Sequence, residues 1–354
     1  MKAYFIDLWD RLKKSSLIKK IVFIFLFLIS VFFLLISFIK IDVSITTPGN
    51  LHSPTSSVAI EDSYKPGSIA SISVFTYNKV SILQYWLSKA NDKFDVEEID
   101  ENYYLSDKED TKQGMIMKDN STVLALINAY REAKKVNPSI IFDEDSYYLG
   151  ESVIAIYSYS KTSLEYGDII VQVNGENFKS YDEFINIIQN SSNKKYLKFI
   201  VKRGEKELEA YAEAVEIDDK LSYGFSVDSS YKSFETTPKY TINPNYSTIG
   251  PSGGAMSALA IYNMLLEEDI SEGIRITGTG TIDVNGNIGK IGGIKQKIIT
   301  AKNYNVDIFF VGVNDYEDAL DAYNEFDCNF ELVKVATFRE MIEYLNNLEA
   351  RNGN

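Results

Sequence analysis

Residues 248–266 read TIGPSGGAMSALAIYNMLL and residues 273–297 read GIRITGTGTIDVNGNIGKIGGIKQK. In the first, Gly250, Gly253 and Gly254 surround Ser252 directly before an apolar run of helical character, Ala255 to Leu266, whose small residues permit close packing. A serine there can be a plain N-cap, which stabilises a helix by roughly 1 kcal/mol. It can also be a nucleophile, because glycines expose its hydroxyl while free N–H groups and the positive helix end face an oxyanion. A nucleophile needs a base. The chain holds one histidine, His52, in the turn-rich stretch 46–54, where a solvated loop is the expectation, so a lysine is the better candidate. Lys290, Lys295 and Lys297 all follow the strand-like 273–282 and the turn Asn285-Gly286-Asn287.

This constellation resembles the Lon-type serine peptidases, family S16. Three linked motifs carry the likeness: Gly250-Pro251-Ser252-Gly253-Gly254, the strand and turn beginning Thr277-Gly278, and Ile291-Gly292-Gly293-Ile294-Lys295-Gln296-Lys297. The resemblance implies a Ser–Lys dyad with Ser252 as nucleophile. The position after Gly-Gly-Ile, 43 residues beyond Ser252, selects Lys295 as general base over Lys290 and Lys297. Thr277 is implied as the strand residue that holds the lysine, with Gly250 and Gly253 shaping the turn. Gly253 stands where the family usually has alanine, and Ile249 where many ATP-dependent members carry aspartate. Free lysine titrates near ~10.4, and bringing it to about 7.5 costs roughly 4 kcal/mol of lost solvation. Lys295 is therefore expected among Ile291, Ile294 and Met256, away from carboxylates. The helix 118–135 also resembles a Lon helix through Met117, Lys118, Ser121 and Ala125.

The same glycines do not make a phosphate loop. Val284 stands at the first glycine position of a Walker A pattern ending in Gly289-Lys290, and Ile291 at its last. No nucleotide site and no other cofactor are expected, and hydrolysis should run without ATP. With one cysteine, Cys328, an intrachain disulfide and a Cys-rich metal cage are closed, and no metal is expected.

Upstream, 152–158 and 169–173 are strand-like, Ser180 and Glu183 form a capping box before a short helix, and 196–202 and 207–214 form a hairpin around Arg203-Gly204. Leu164, Gly167, Asp168, Ile169, Asn174 and Gly175 make this module, 146–215, resemble the PDZ domain of bacterial surface proteases. The family implies a groove between the Tyr148-Leu149-Gly150 loop and helix 180–190 that takes an extended peptide by strand addition. A purely structural insert is the alternative. Because 216–354 alone is short for a protease domain, 55–145 is expected to supply its first part, with PDZ inserted. The tail alternates as βαβα over 307–348. Residues 97–114 read as an acidic surface loop and 40–54 as a linker.

At the N-terminus, Ile21 to Ile39 carries no charge in 19 residues, about 28 Å as a helix and close to the hydrocarbon thickness. Residues 1–20 hold six cations against two carboxylates, a net +4, so the rest carries −18 of the total −14. The positive-inside rule places 1–20 in the cytoplasm and the acidic bulk outside a single span that meets the lipid bilayer through 21–39. The acidity argues against nucleic acid as a partner.

Taken together, an α+β chain with an anchor, a Lon-type α/β domain and an inserted PDZ domain is similar to the PDZ–Lon protease family of the Firmicutes cell surface. That implies an extracellular endopeptidase acting on secreted peptides or surface proteins, a signalling pheromone among them. The alternative is a silent PDZ scaffold that binds membrane-protein C-termini. Self-association into a homo-oligomer is left open.

Overall fold

The computed structural model describes residues 16–63, 68–142, 147–191, 194–217, 220–243 and 248–352. Most of the basic segment 1–20 lies outside the described residues. The chain divides into two compact units, one of residues 1–46 and 76–99, the other of 47–75 and 100–354.

In the first unit, helix α1 (Leu17–Phe38) is long and apolar enough to cross a bilayer, and of its residues only Ile36 is buried. Helix α2 (Ile82–Lys89) is closed by a full capping box, with Ser81 Oγ accepting from Gln84 N and Gln84 Oε1 accepting from Ser81 N. Residues 43–46 pair antiparallel with Asp95–Glu98 over a small core of Val43, Ile45 and Val80.

Two expectations are corrected here. The supposed linker 40–54 contains a ten-residue strand, Val43–His52. Its Pro48 and Gly49 read as a turn, yet a Cβ at Gly49 would lie 2.3 Å from Ser73 O, so the glycine marks close backbone approach within a sheet. The supposed acidic loop 97–114 holds a strand end and the start of helix α3 (Asp107–Val136). Its carboxylates Asp107, Glu109 and Asp110 fill the first helical turn, where the dipole favours them, and Ser106 with Glu109 caps it.

The second unit is built on a sheet ordered 331–335, 308–312, 276–279, 69–77 and 43–52, with parallel pairing from the first of these strands to the fourth. Helix α3 packs across helix α5 (Gly254–Leu265), every residue of which is buried. Gly254 permits this approach: a Cβ there would sit 2.6 Å from Ser121 Oγ. Helices α6 (Ile294–Asn303), α7 (Tyr316–Glu325) and α8 (Phe338–Asn352) complete the α/β part. Strands 58–60 and 141–142 pair with 240–242 and 236–237 respectively, so chain from before and after the β-rich module closes into one body.

That module is a seven-stranded sheet running 225–231, 148–156, 169–173, 196–203, 206–213 and 161–162, with 176–177 on 169–173. Helix α4 (Tyr181–Asn190) packs on its core of Val153, Ile170, Phe184 and Phe199. Asn174 and Gly175 both adopt positive φ, 51° and 87°, as an Asn-Gly hairpin requires. Buried Asp168 takes Nε and Nη2 of Arg203, both at 2.7 Å. The module does not stop at 215, because Phe225–Tyr231 forms its outermost strand. The whole is an α+β architecture.

Candidate active site

Ser252 lies in the turn before α5. The N-cap is Gly253 and no side chain caps the helix, so the Ser252 hydroxyl is not spent on capping. Gly254 N donates to Pro251 O (2.9 Å), and Gly250 bends the approach with φ +84° in open space. The neighbouring strand fixes the turn from the other side. Gly280 N donates to Ser252 O at 2.9 Å and Thr279 Oγ1 donates to the same oxygen at 3.1 Å. Ser121 Oγ, from α3, reaches Pro251 O at 3.3 Å.

Thr279 also accepts a hydrogen bond, 3.0 Å long, from Lys297 Nζ. Lys297 is 1% exposed. Burial pulls its amine down to about 8, opposed by the charge of Asp315. A desolvated amine of this kind can take a proton from a hydroxyl and return it, which a solvated lysine at neutral pH cannot.

Lys295 does not meet the condition set for it. Its Nζ lies 3.2 Å from Glu325 Oε1 and 5.3 Å from the Phe326 ring centre, at the seam of α6 and α7. Residues two apart on a helix point about 200° away from each other, so α6 cannot turn both lysines to the same place. Thr277 is corrected with it: its hydroxyl donates to Ala70 O (2.9 Å) inside the sheet and does not hold the lysine. The two differences have one origin. The repeat Thr277-Gly278-Thr279-Gly280 and the pair Lys295, Lys297 both admit a shift of two residues that keeps the threonine-to-lysine spacing at 18. The pair that is buried and hydrogen-bonded in this structure is the second, Thr279 and Lys297.

His52 is no loop residue. It ends the strand 43–52, its Nε2 lies 2.8 Å from Ser73 Oγ, and burial followed by the charge of Lys118 lowers its basicity. Lys118 itself is buried, and its pKa is lowered by that burial.

A cleft of about 460 Å³ opens beside Pro251, between α3, the strand 225–231 and the segment 281–289. A second, of about 660 Å³, shares Asp228, Ser229, Tyr231 and Asp283 with it and continues to Ser180 and Tyr181 at the start of the module's helix. Asn120 Nδ2 donates to Asp228 Oδ2 (2.7 Å), and burial raises this carboxyl.

The expected peptide groove of the β-rich module is differently arranged. Tyr148, Leu149 and Gly150 form no open loop but begin the strand Tyr148–Ile156. The edge meant for an added peptide is already paired, antiparallel, with the chain's own Phe225–Tyr231, Gly150 facing Ser230 and Tyr148 facing Tyr231. Buried Glu151 reinforces this contact by accepting from Tyr148 Oη (2.5 Å) and Ser229 Oγ (3.0 Å), and burial pushes it up to about 7. Among the described residues, no group of three or more His, Cys, Asp or Glu side chains could hold a metal ion.

Residues 243–347 match the Lon protease (S16) C-terminal proteolytic domain. The chain is 31% identical over 96 residues to the Lon protease of Campylobacter jejuni, covering 27% of this chain and 12% of that protein. It is 30% identical over 110 residues to the archaeal Lon protease of Methanocaldococcus jannaschii, covering 31% and 16%. The chain thus spans less than a fifth of the length of these relatives. Among solved structures it is similar to the PDZ domain of an SdrC-like protein from Listeria innocua, at 28% identity, 22% of this chain, 93% of that one and a TM-score of 0.21. The PDZ domain of the SdrC-like protein of Listeria monocytogenes gives 24% identity, 25% of this chain, 93% of that one and a TM-score of 0.21. What the chain shares with the Lon-type S16 serine peptidases is thus their C-terminal proteolytic domain, matched over residues 243–347.

Proposed function

We propose that this protein is a membrane-anchored serine endopeptidase that works without ATP, with Ser252 as nucleophile and Lys297 as general base. One observation carries the reading: Lys297, fully buried and lowered to about 8, is hydrogen-bonded to Thr279, whose hydroxyl also holds the Ser252 carbonyl. Neutral Lys297 takes the serine proton as Ser252 Oγ attacks the peptide carbonyl. The ammonium then protonates the leaving amine, and an acyl-enzyme remains. Water, activated by the same lysine, releases it. N–H groups in the glycine turn and at the α5 N-terminus stabilise the oxyanion. Gly250 and Gly253 act through backbone shape, and Thr279 is a positioning residue.

In this reading 55–145 and 236–354 form the protease body, the PDZ-like module is inserted between them, and 21–39 spans the bilayer with the acidic bulk outside. Substrates are secreted peptides or surface proteins entering the cleft beside Pro251. The scaffold reading is disfavoured by the self-paired edge of 148–156, which leaves an incoming C-terminus no strand to join there. The test is hydrolysis of an unfolded protein such as casein by the purified chain, with and without ATP, against Ser252→Ala. ATP-independent cleavage lost in the variant is expected. Equal cleavage by the variant would reject the serine, and no cleavage by either would favour the scaffold.

A further inference from the structure

Among the described residues, helix α2 has a face left largely exposed. Trp86 is 49% exposed and Leu87 63%, and they follow Leu83 at helical spacing on one side of α2. The opposite side carries Tyr85, which packs on the core of Val43, Ile45 and Val80. The position of α2 relative to α1 says what covers the free face. Ile82 N donates to Ile39 O (3.1 Å) and Ile41 N to Val80 O (2.9 Å), so α2 starts level with the end of the apolar helix. From there it runs back alongside α1, and the Trp86 ring lies 6.2 Å from that of Phe32. Phe32 is six residues before Phe38, about 9 Å along the helix axis at 1.5 Å per residue.

We infer that α2 is embedded in the outer interface of the bilayer, with Trp86 and Leu87 among lipid, so that the protein enters the membrane through two elements. The inference rests on α1 spanning the membrane, for if Phe32 lies in lipid then a ring packed beside it does too. An amphipathic indole is suited to this depth, its apolar body among acyl chains and its N–H near the headgroups. An added contact of this kind restrains the first unit against the membrane surface rather than leaving it on a single flexible attachment.

The chain has two tryptophans, Trp9 and Trp86, so Trp9→Phe leaves Trp86 as sole reporter. The full-length variant is reconstituted in phosphatidylcholine–phosphatidylglycerol vesicles and floated on a density gradient. Trp86 emission is then read with brominated acyl chains and with aqueous iodide. The expected result is co-flotation, loss of Trp86 emission in brominated lipid, and little loss with iodide. Co-flotation with iodide quenching and no effect of bromine would overturn the embedding of α2 while leaving the span intact. Failure to float would overturn the span, and the embedding with it.

Discussion

In the proposed mechanism Lys297 is the residue on which the chemistry turns, and its environment sets a pH dependence. The base must be neutral, so kcat/KM should rise with pH through an apparent pKa near 8 and level off above it. A profile still rising at pH 10 would mean a solvated base. The same shift affects folding. The unfolded chain keeps this lysine protonated up to about 10.4, so between pH 8 and that value it binds the proton that the native state has lost. The destabilisation due to Lys297 is therefore full below about 8 and is relieved as pH climbs through that window. Thr279 is tested beside it. Thr279→Val should lower kcat by roughly tenfold to a hundredfold with little change in KM, and Thr279→Ser should restore it. Thr277→Val, which loses only a bond to Ala70 O, should cost about 1 kcal/mol of stability and leave the pH profile in place. The turn that presents Ser252 was legible from the glycines around it and the helix after it. The lysine was not, since counting from the serine says nothing about which side of α6 faces inward. Apolar spacing misleads as well, because Lys295 shares a stripe with Ile298 and Ile299 and still ends at Glu325.

At the scale of elements, the crossing of α3 and α5 holds the serine turn. Gly254→Ala would press a Cβ onto Ser121 Oγ and Ile282, costing roughly 1–3 kcal/mol, read as a lowered Tm. Adding Ser121→Ala should recover part of the loss. No change in Tm would show that the helices can part without penalty. In the β-rich module, Asp168→Ala would strip Arg203 of its bidentate partner and cost about 2 kcal/mol, seen as faster amide exchange in strands 169–173 and 196–203. The hairpins and helices of this module were legible because Asn174-Gly175, Ser180 and the alternating 196–202 are local signals. The pairing of 225–231 with 148–156 was not, as it joins residues about 75 apart and no local pattern announces it. Strand 43–52 was missed because Pro48 and Gly49 carry turn signals that sheet packing overrides.

Over the whole molecule, the proposed orientation follows from the uneven charge, with the basic N-terminus inside and the acidic bulk outside. Proteinase K added to intact cells should therefore digest the chain beyond Lys40 and spare the N-terminal segment, and full protection of the acidic bulk would reverse the topology. The self-paired edge of the β-rich module joins this picture, because Asp228, Ser229 and Tyr231 on the pairing strand line both clefts that lead to Pro251. On the proposed reading, the module forms part of the wall past which a substrate travels. The central claim remains the pairing of Ser252 with Lys297, and the most direct measurement compares peptide hydrolysis by Lys297→Ala and Lys295→Ala at pH 8. Lys297→Ala should lose activity by a factor on the order of a thousand or more while keeping its fold, and Lys295→Ala should stay within about twofold of the unaltered protein. An active Lys297→Ala beside a dead Lys295→Ala would contradict the assignment.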